Sequence, residues 1–196
     1  SSSFTYNGSS QIPTVTVMMG EAVLDASQYE VSYSNSNGGV NNTVNVGTIT
    51  VTVTAKDDSN YTGTAMSQPT YAIDLAVPNI TWSEADKTQN VTYTGTAANI
   101  TSPAVTLVNG EVFDGTFTYS YKESGSTGAY TSGLPINAGT YLVKAHVAAK
   151  GNYAATDSTN ELTLTINKAT ATLTITGIGV GSGKTYDGTP IANPTA

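Results

Sequence analysis

Apolar and polar residues alternate with a period of two along most of the chain. In residues 47–55 the apolar side chains occupy the odd positions and threonine occupies the even ones, which is the pattern of a strand with one buried face. The same alternation occurs in four further segments, at residues 29–33, 117–121, 141–147 and 162–166. No stretch of about 12 residues has apolar positions at the three- and four-residue spacing of a helix. The pattern therefore predicts an all-β protein with essentially no helix.

Internal similarity indicates a repeat of about 92 residues. Two segments share a Gly-Thr pair, an alternating strand and an Asn-Tyr pair at equal spacing, namely residues 47–61 and 139–153. A Thr-Tyr-X-Gly-Ser/Thr element also occurs three times, at residues 5–9, 92–96 and 185–189. We predict three units of immunoglobulin-like β-sandwich type: residues 1–75, without a leading strand; residues 76–168; and the start of a third unit at 169–196.

These repeated elements carry a family resemblance. The motifs Val46-Gly47-Thr48 and Asn60-Tyr61-Thr62-Gly63-Thr64 resemble those of tandem modules in large bacterial surface proteins. The second copy, with Asn137-Ala138-Gly139-Thr140-Tyr141, and the third, with Lys184-Thr185-Tyr186-Asp187-Gly188-Thr189-Pro190, resemble the MBG or YDG type of bacterial Ig-like domain. The resemblance implies extracellular β-sandwich repeats on a bacterial cell surface, without family-wide catalytic residues. The segment 122–135 is longer than its counterpart 34–45, so that loop stays unassigned.

Composition narrows the classes of partner. The 196 residues carry 14 acidic and 7 basic side chains, all seven of the latter lysine, and charged residues make up 11% of the chain. A net charge of −7 argues against binding to nucleic acid or to an anionic membrane surface. Cysteine is absent, which excludes disulfides, thiol catalysis and cysteine-ligated zinc. No apolar run reaches the roughly 18 residues of a membrane-spanning helix.

Two motifs suggest catalysis or nucleotide binding at first sight. The glycine-rich segment 177–185 resembles a phosphate-binding loop, but Ile178 stands where that loop needs glycine, and a turn rather than a helix follows. His146 is the single histidine, and the alternation places it on the solvent face of its strand beside Lys144. One exposed histidine supports neither a conventional zinc site nor a Ser-His-Asp triad. We therefore expect no enzyme activity, no catalytic residues and no cofactor.

Two sets of residues suggest ionic or covalent chemistry. Asp57, Asp58 and Asn60 form the densest group of oxygen ligands and are weak candidates for calcium binding, a plain polar turn being the alternative. Lys87 and Lys168 stand in or near strands beside asparagines. Each is a candidate for a lysine–asparagine cross-link, which would require a buried lysine and a buried acid close together.

The aromatic residues suggest a recognition surface. Tyr130 lies in a segment of small polar residues, where an exposed ring could stack on a sugar or a protein partner. We select Tyr130 and Trp82 as the candidate ligand-binding residues. Tyr61 and Tyr153 follow asparagine at the same repeat position, which favours a structural corner whose hydroxyl bonds nearby backbone.

The sequence thus predicts a non-catalytic stalk or spacer of a bacterial cell-surface protein, which presents a distal functional domain. The alternative is an adhesin module that binds host glycan or protein through loops at the sandwich ends. The expected partners are neighbouring Ig-like repeats of the same chain. Because residues 169–175 form an alternating apolar strand and the first unit has a vacant edge, we also expect head-to-tail association.

Overall fold

The protein is all-β. A computed structural model describes residues 2–65 and 67–174, and in that part of the chain fifteen strands are accompanied by two single-turn 3-10 helices, Ala26–Gln28 and Val108–Gly110. This confirms the fold class predicted from the period-two alternation. None of the helices in these residues is long and apolar enough to cross a membrane.

The N-terminal half forms a five-stranded sheet in the order β1-β7-β6-β4-β5. Its strands, with the separate β2–β3 hairpin, are β1 (Ser3–Thr5), β2 (Met18–Met19), β3 (Ala22–Val23), β4 (Tyr29–Asn35), β5 (Gly39–Val40), β6 (Gly47–Ala55) and β7 (Thr70–Asp74). Strand β1 runs parallel to β7, whereas the other neighbours are antiparallel.

The C-terminal half forms a six-stranded sheet in the order β12-β11-β13-β15-β9, with β14 also paired to β13. Its strands, with the separate antiparallel pair of β8 and β10, are β8 (Asn79–Thr81), β9 (Thr88–Thr92), β10 (Ala104–Thr106), β11 (Phe117–Glu123), β12 (Thr131–Ser132), β13 (Gly139–Val147), β14 (Thr156–Asp157) and β15 (Leu162–Asn167). Strand β9 runs parallel to β15, just as β1 runs parallel to β7.

The two sheets share strand order and register. Gly47 lies opposite Ile73 in the first sheet, and Gly139 lies opposite Ile166 in the second. The neighbouring strands correspond in the same way, since Tyr33 pairs with Val51 as Tyr121 pairs with Val143. Equivalent side chains of the two halves therefore occupy equivalent places on their sheets.

Each sheet buries its own core. The first core contains Tyr6, Ile49, Val51, Tyr71, Ile73 and Ala76. The second contains Ile80, Trp82, Ala98, Tyr141, Val143, Ala145, Val147, Leu162, Leu164 and Ile166. In the second core the pair β8–β10 contributes Ile80 and Val105 to the cluster formed by the six-stranded sheet, as in a two-layered sandwich. Tyr153 and Val108 of the C-terminal half pack against the first core, so the two halves meet there.

Candidate functional site: the junction between the two cores

The chain passes from the first core to the second without a spacer. Ala76 is buried in the first core, and its backbone N–H donates to the carbonyl of Asn152 at 3.0 Å. The N–H of Ala154 in turn donates to the carbonyl of Ala76 at 2.8 Å. The connecting residue is therefore held by backbone hydrogen bonds to the second half, which restricts its φ and ψ angles.

The Asn152 side chain connects the two halves a second time. Its Oδ1 accepts a hydrogen bond from the backbone N–H of Val46 at 3.0 Å, and its Nδ2 donates to Asn45 Oδ1 at 2.9 Å. One amide thus binds a donor and an acceptor on the loop before β6. This arrangement fixes the orientation of the loop relative to the second half.

Two tyrosines, one from each half, share a single carboxylate at the junction. The Tyr6 hydroxyl donates to Glu111 Oε1 at 2.6 Å, and the Tyr153 hydroxyl donates to Glu111 Oε2 at 2.8 Å. The two rings meet edge to face with centroids 5.6 Å apart. Burial and the bond to Glu111 raise the pKa of Tyr153 to about 12, and the bond to Glu111, followed by burial, raises the pKa of Tyr6. Both hydroxyls therefore stay protonated, and able to donate to Glu111, to higher pH than an ordinary tyrosine.

A close contact between Asn109 and the segment Asn7-Gly8 completes the junction. Asn109 has the positive φ of 52°, and its Nδ2 donates to the carbonyl of Asn7 at 2.9 Å. Gly8 lies against it with φ 74°, and a Cβ atom at Gly8 would stand 2.5 Å from Asn109 Nδ2. A side chain at this position would therefore be strained by the backbone angle and would displace the Asn109 amide from its bond to Asn7.

The predicted corner role of the tyrosines is only partly right. The Tyr153 hydroxyl does bind backbone, but it accepts from the N–H of Val108, 45 residues away, rather than from a near neighbour. Tyr61 is 38% exposed and belongs to neither core cluster. The local corner is formed instead by Tyr141, whose hydroxyl donates to the carbonyl of Asn137, four residues upstream, at 3.0 Å. No pattern in the sequence identifies Glu111 as a junction residue, because the two tyrosines that it binds are 105 and 42 positions away.

No family model matches this chain. A comparison with curated proteins also finds no match. The resemblance to MBG or YDG-type repeats therefore stays a prediction.

A cleft of about 510 Å³ lies beside the junction, between residues 111–116 and 147–153. Its charged side chains already have partners. Lys150 Nζ lies 2.5 Å from Asp114 Oδ2, and Glu111 binds the two tyrosine hydroxyls. These contacts leave the cleft with paired rather than free acid and base groups.

Tyr130 lies in the loop before β12, between charged side chains. The ammonium groups of Lys122 and Lys144 lie 4.9 and 4.8 Å from its ring centroid, and its hydroxyl donates to Glu161. Burial, followed by the bond to Glu161, raises the pKa of Tyr130 to about 12. The ring is half-buried under its neighbours rather than projecting freely as the sequence suggested.

The expectation that Trp82 contributes to a recognition surface is wrong. Its side chain is 1% exposed within the second core, and its Nε1 donates to the carbonyl of Thr101 at 3.1 Å. The backbone N–H of Trp82 also donates to Asn160 Oδ1 at 2.9 Å. The ring therefore contributes to packing and has no surface to offer a ligand.

The candidate calcium ligands lie in an exposed turn. Asp57, Asp58 and Asn60 are all exposed, and the Asn60 backbone N–H donates to Gln28 Oε1 at 3.0 Å. Within residues 2–65 and 67–174, no three or more His, Asp or Glu side chains come together as a metal site requires. This geometry favours the plain polar turn.

The lysines proposed for a cross-link are not buried. Lys87 is 43% exposed and pairs with Glu84, and Lys168 is exposed. The cross-link needs a desolvated amine, so neither lysine satisfies its first requirement. His146 lies on the surface as predicted, with Nδ1 2.7 Å from Asp157 Oδ1.

The remaining sequence predictions fall near the C-terminus. The glycine-rich segment 177–185 and most of the predicted third unit lie outside the described residues. Residues 169–174 are described and exposed, and they form no strand, since no described strand lies beside them. The predicted strand at 169–175 is therefore not formed over its described part.

Proposed function

We propose that the chain is a non-catalytic segment of a bacterial cell-surface protein, in which tandem Ig-like repeats form a stalk that presents a distal domain. The observation that carries this proposal is the junction between the two cores. A stalk must hold each unit in a fixed orientation relative to the next, and a junction without a flexible spacer restricts that motion.

The junction resists bending by several independent contacts. Backbone hydrogen bonds hold Ala76 to the second half. The side-chain amide of Asn152 binds the loop before β6 of the first half. The Glu111 carboxylate accepts hydrogen bonds from both Tyr6 and Tyr153. A hinge would need freely rotating backbone between the units, and the bonds to Ala76 oppose such rotation.

The surface agrees with an exposed spacer. Threonine covers the solvent face of the long strand β6, and only 11% of all residues are charged. The chain contains no cysteine, so a rigid arrangement of this kind would depend on packing and hydrogen bonds alone. The extracellular bacterial location is supported by the sequence resemblance described above.

The test measures the distribution of distances between the two units. Because the chain has no native cysteine, Glu30→Cys on β4 and Thr118→Cys on β11 place one spin label on each half at exposed strand positions. Pulsed electron–electron double resonance should give a single narrow distribution of distances between the two spin labels. A control with a six-residue Gly-Ser insertion between Leu75 and Ala76 should give a broad one. If the native chain is as broad as the control, the stalk proposal fails.

A second function is favoured by the surroundings of Tyr130. Two of the seven lysines of an acidic protein converge on this ring, and together they could hold an anionic sugar or an acidic peptide. The test is a binding screen against glycans, mucin and matrix proteins. Saturable binding that is lost in Tyr130→Ala and kept in the matched Tyr61→Ala variant would make the chain an adhesin. Absence of binding by the native chain would favour the stalk.

A further inference from the structure

We propose that two copies of this chain associate head to tail, and that the contact repeats the internal junction together with one exchanged strand. The C-terminal end of one copy would dock on the N-terminal half of the next. The inference rests on the junction and on three exposed features of the molecule, and it does not require the stalk function.

The first feature is an exposed copy of the first-half side of the junction. At the internal junction this side consists of Tyr6, Gly8, Asn45 and Ala76. The second half carries the same residue types at the equivalent positions, which are Tyr93, Gly95, Asn137 and Ala169. All four of these residues are exposed, and Tyr93 is 40% accessible where Tyr6 is 7% accessible.

The second feature is an exposed copy of the opposite side. At the internal junction that side consists of Gly110, Glu111, Asn152 and Tyr153. The first half carries the same residue types at Gly20, Glu21, Asn60 and Tyr61, again all exposed. Gly20 and Gly110 even share a positive φ, at 64° and 72°. The molecule therefore presents both complementary halves of a contact that it already makes internally.

The third feature is an open strand position in the first half. In the second half, Val105 on β10 lies opposite Ile80 on β8, and both side chains enter the core. The matching segment in the first half is residues 13–17, where Val15 packs on the core while Thr14 and Thr16 are exposed. Among the described residues, no backbone hydrogen bond reaches Thr14, Val15 or Thr16. Among the strands of the described residues, the first half thus has an edge equivalent to β10 and no equivalent of β8.

The side chains of β6 are less buried than those of β13. Ala145 and Val147 on β13 are buried, whereas Val53 and Ala55 at the same register positions on β6 are only half-buried. The two strands are equally long and pair in the same register with β11 and β4. Strand β13 pairs further with β14 and at five positions with β15, whereas β6 pairs at four positions with β7. The lower burial of β6 accompanies both this difference in pairing and the absence, among the described residues, of an equivalent of β8.

The chain itself carries a segment of the right kind. Residues 172–174 follow the second half as β8 follows the first, and they repeat its alternation with Leu173 at the position of Ile80. Leu173 is 90% exposed, whereas Ile80 is fully buried. Transferring the register of β8 and β10 places Leu173 of one copy opposite Val15 of the next, in antiparallel pairing. Adding this strand would bury Leu173 and satisfy the open edge at residues 14–16.

The contact is heterologous, because the C-terminal segment of one copy meets the N-terminal half of the next. Each added copy presents the same C-terminal segment again. The species formed are therefore multiples of the 20.1 kDa chain that grow with concentration. The geometry does not by itself stop at a dimer.

The first experiment is sedimentation velocity on the 196-residue chain over a wide concentration range. The native chain should shift to multiples of its mass as concentration rises. Leu173→Asp should remain monomeric, because the proposed contact would bury the new charge. The control, Val40→Asp, adds the same charge at a residue that is 76% exposed and lies outside the proposed contact, and it should associate like the native chain. A native chain that stays monomeric, or association that survives Leu173→Asp, overturns the proposal.

The register is tested by cross-linking between single-cysteine variants. Equimolar Val15→Cys and Leu173→Cys chains, mixed under mild oxidation, should form a mixed disulfide detectable by mass spectrometry. Thr16→Cys with Leu173→Cys is the matched control, because a one-residue shift turns the new thiol to the opposite face. Equal yields from the two mixtures would refute strand exchange in this register. Tyr93→Ala, at an exposed ring of the docking end, should also weaken association while leaving the far-ultraviolet circular dichroism unchanged.

Discussion

Replacing Asn152 by alanine tests whether the junction couples the two cores energetically. The change removes the bond from Val46 N–H to Oδ1 and the bond from Nδ2 to Asn45. Each hydrogen bond contributes roughly 0.5–1.5 kcal/mol, so the two together give about 1–3 kcal/mol. The half-buried Val46 N–H also loses its acceptor, which favours the upper part of that range. The backbone bonds of Ala76 to residues 152 and 154 remain in the variant.

The matched control is Asn60→Ala, because Asn60 occupies the equivalent repeat position in the first half. Its Nδ2 lies 3.4 Å from Gln28 Oε1 on an exposed surface, and it makes no contact with the other half. We expect this variant to change the free energy of unfolding by no more than about 0.5 kcal/mol. The comparison separates the loss of an asparagine from the loss of the junction.

Urea unfolding provides the assay. Trp82 is the single tryptophan and is buried in the second core, so its fluorescence reports on that core, while far-ultraviolet circular dichroism reports on both. The native chain should give coincident transitions with the two probes, as coupled units do. In Asn152→Ala the circular dichroism transition should begin at lower urea than the fluorescence transition. If Asn152→Ala and Asn60→Ala behave alike, the junction does not couple the cores.

Three further predictions concern single side chains. Trp82→Ala should destabilise the second core by about 3–5 kcal/mol, measured by urea unfolding with circular dichroism, because the buried ring and its bond to Thr101 are both lost. Tyr141→Phe should cost about 1 kcal/mol by the same measurement, since it removes only the bond to the Asn137 carbonyl. Tyr153 has a folded pKa of about 12, above its value of about 10 in an unfolded chain, so its contribution to stability is complete below pH 10 and is lost as pH rises to about 12. Thermal unfolding from pH 9 to pH 12 should show a smaller decrease for Tyr153→Phe than for the native chain.

The strands could be predicted because their cause is local. Alternation of threonine with valine and isoleucine in residues 47–55 needs only a pleated backbone with one dry face, and the structure has a strand at Gly47–Ala55. The same alternation predicts the burial of Trp82, against its selection as a candidate ligand-binding residue. Trp82 stands two residues after Ile80, in phase with it, so the alternation that buries Ile80 also predicts a buried Trp82.

The junction could not be predicted because its contacts join residues that are distant in sequence. Glu111 meets Tyr6 across 105 positions, and Asn152 meets Asn45 across 107. No periodicity identifies such pairs, since each partner looks like an ordinary loop residue in its own segment. The small polar residues around Tyr130 in sequence predict an exposed ring, but Lys122 and Lys144, which cover it, come from strands β11 and β13.

The repeated Asn-Tyr pair shows why a position in a tandem array has no function until its neighbour is known. Asn152 and Tyr153 fasten the second half to the first, whereas Asn60 and Tyr61 carry the same side chains and remain exposed. The difference lies in what stands opposite, because the loop at Asn45 and the ring of Tyr6 complete one pair and no described residue of the other half completes the other. An exposed pair of this kind is a free half of a contact whose bound form is visible in the same molecule. That bound form specifies the partner it should accept, which is a surface with tyrosine, glycine and asparagine in the arrangement of Tyr6, Gly8 and Asn45.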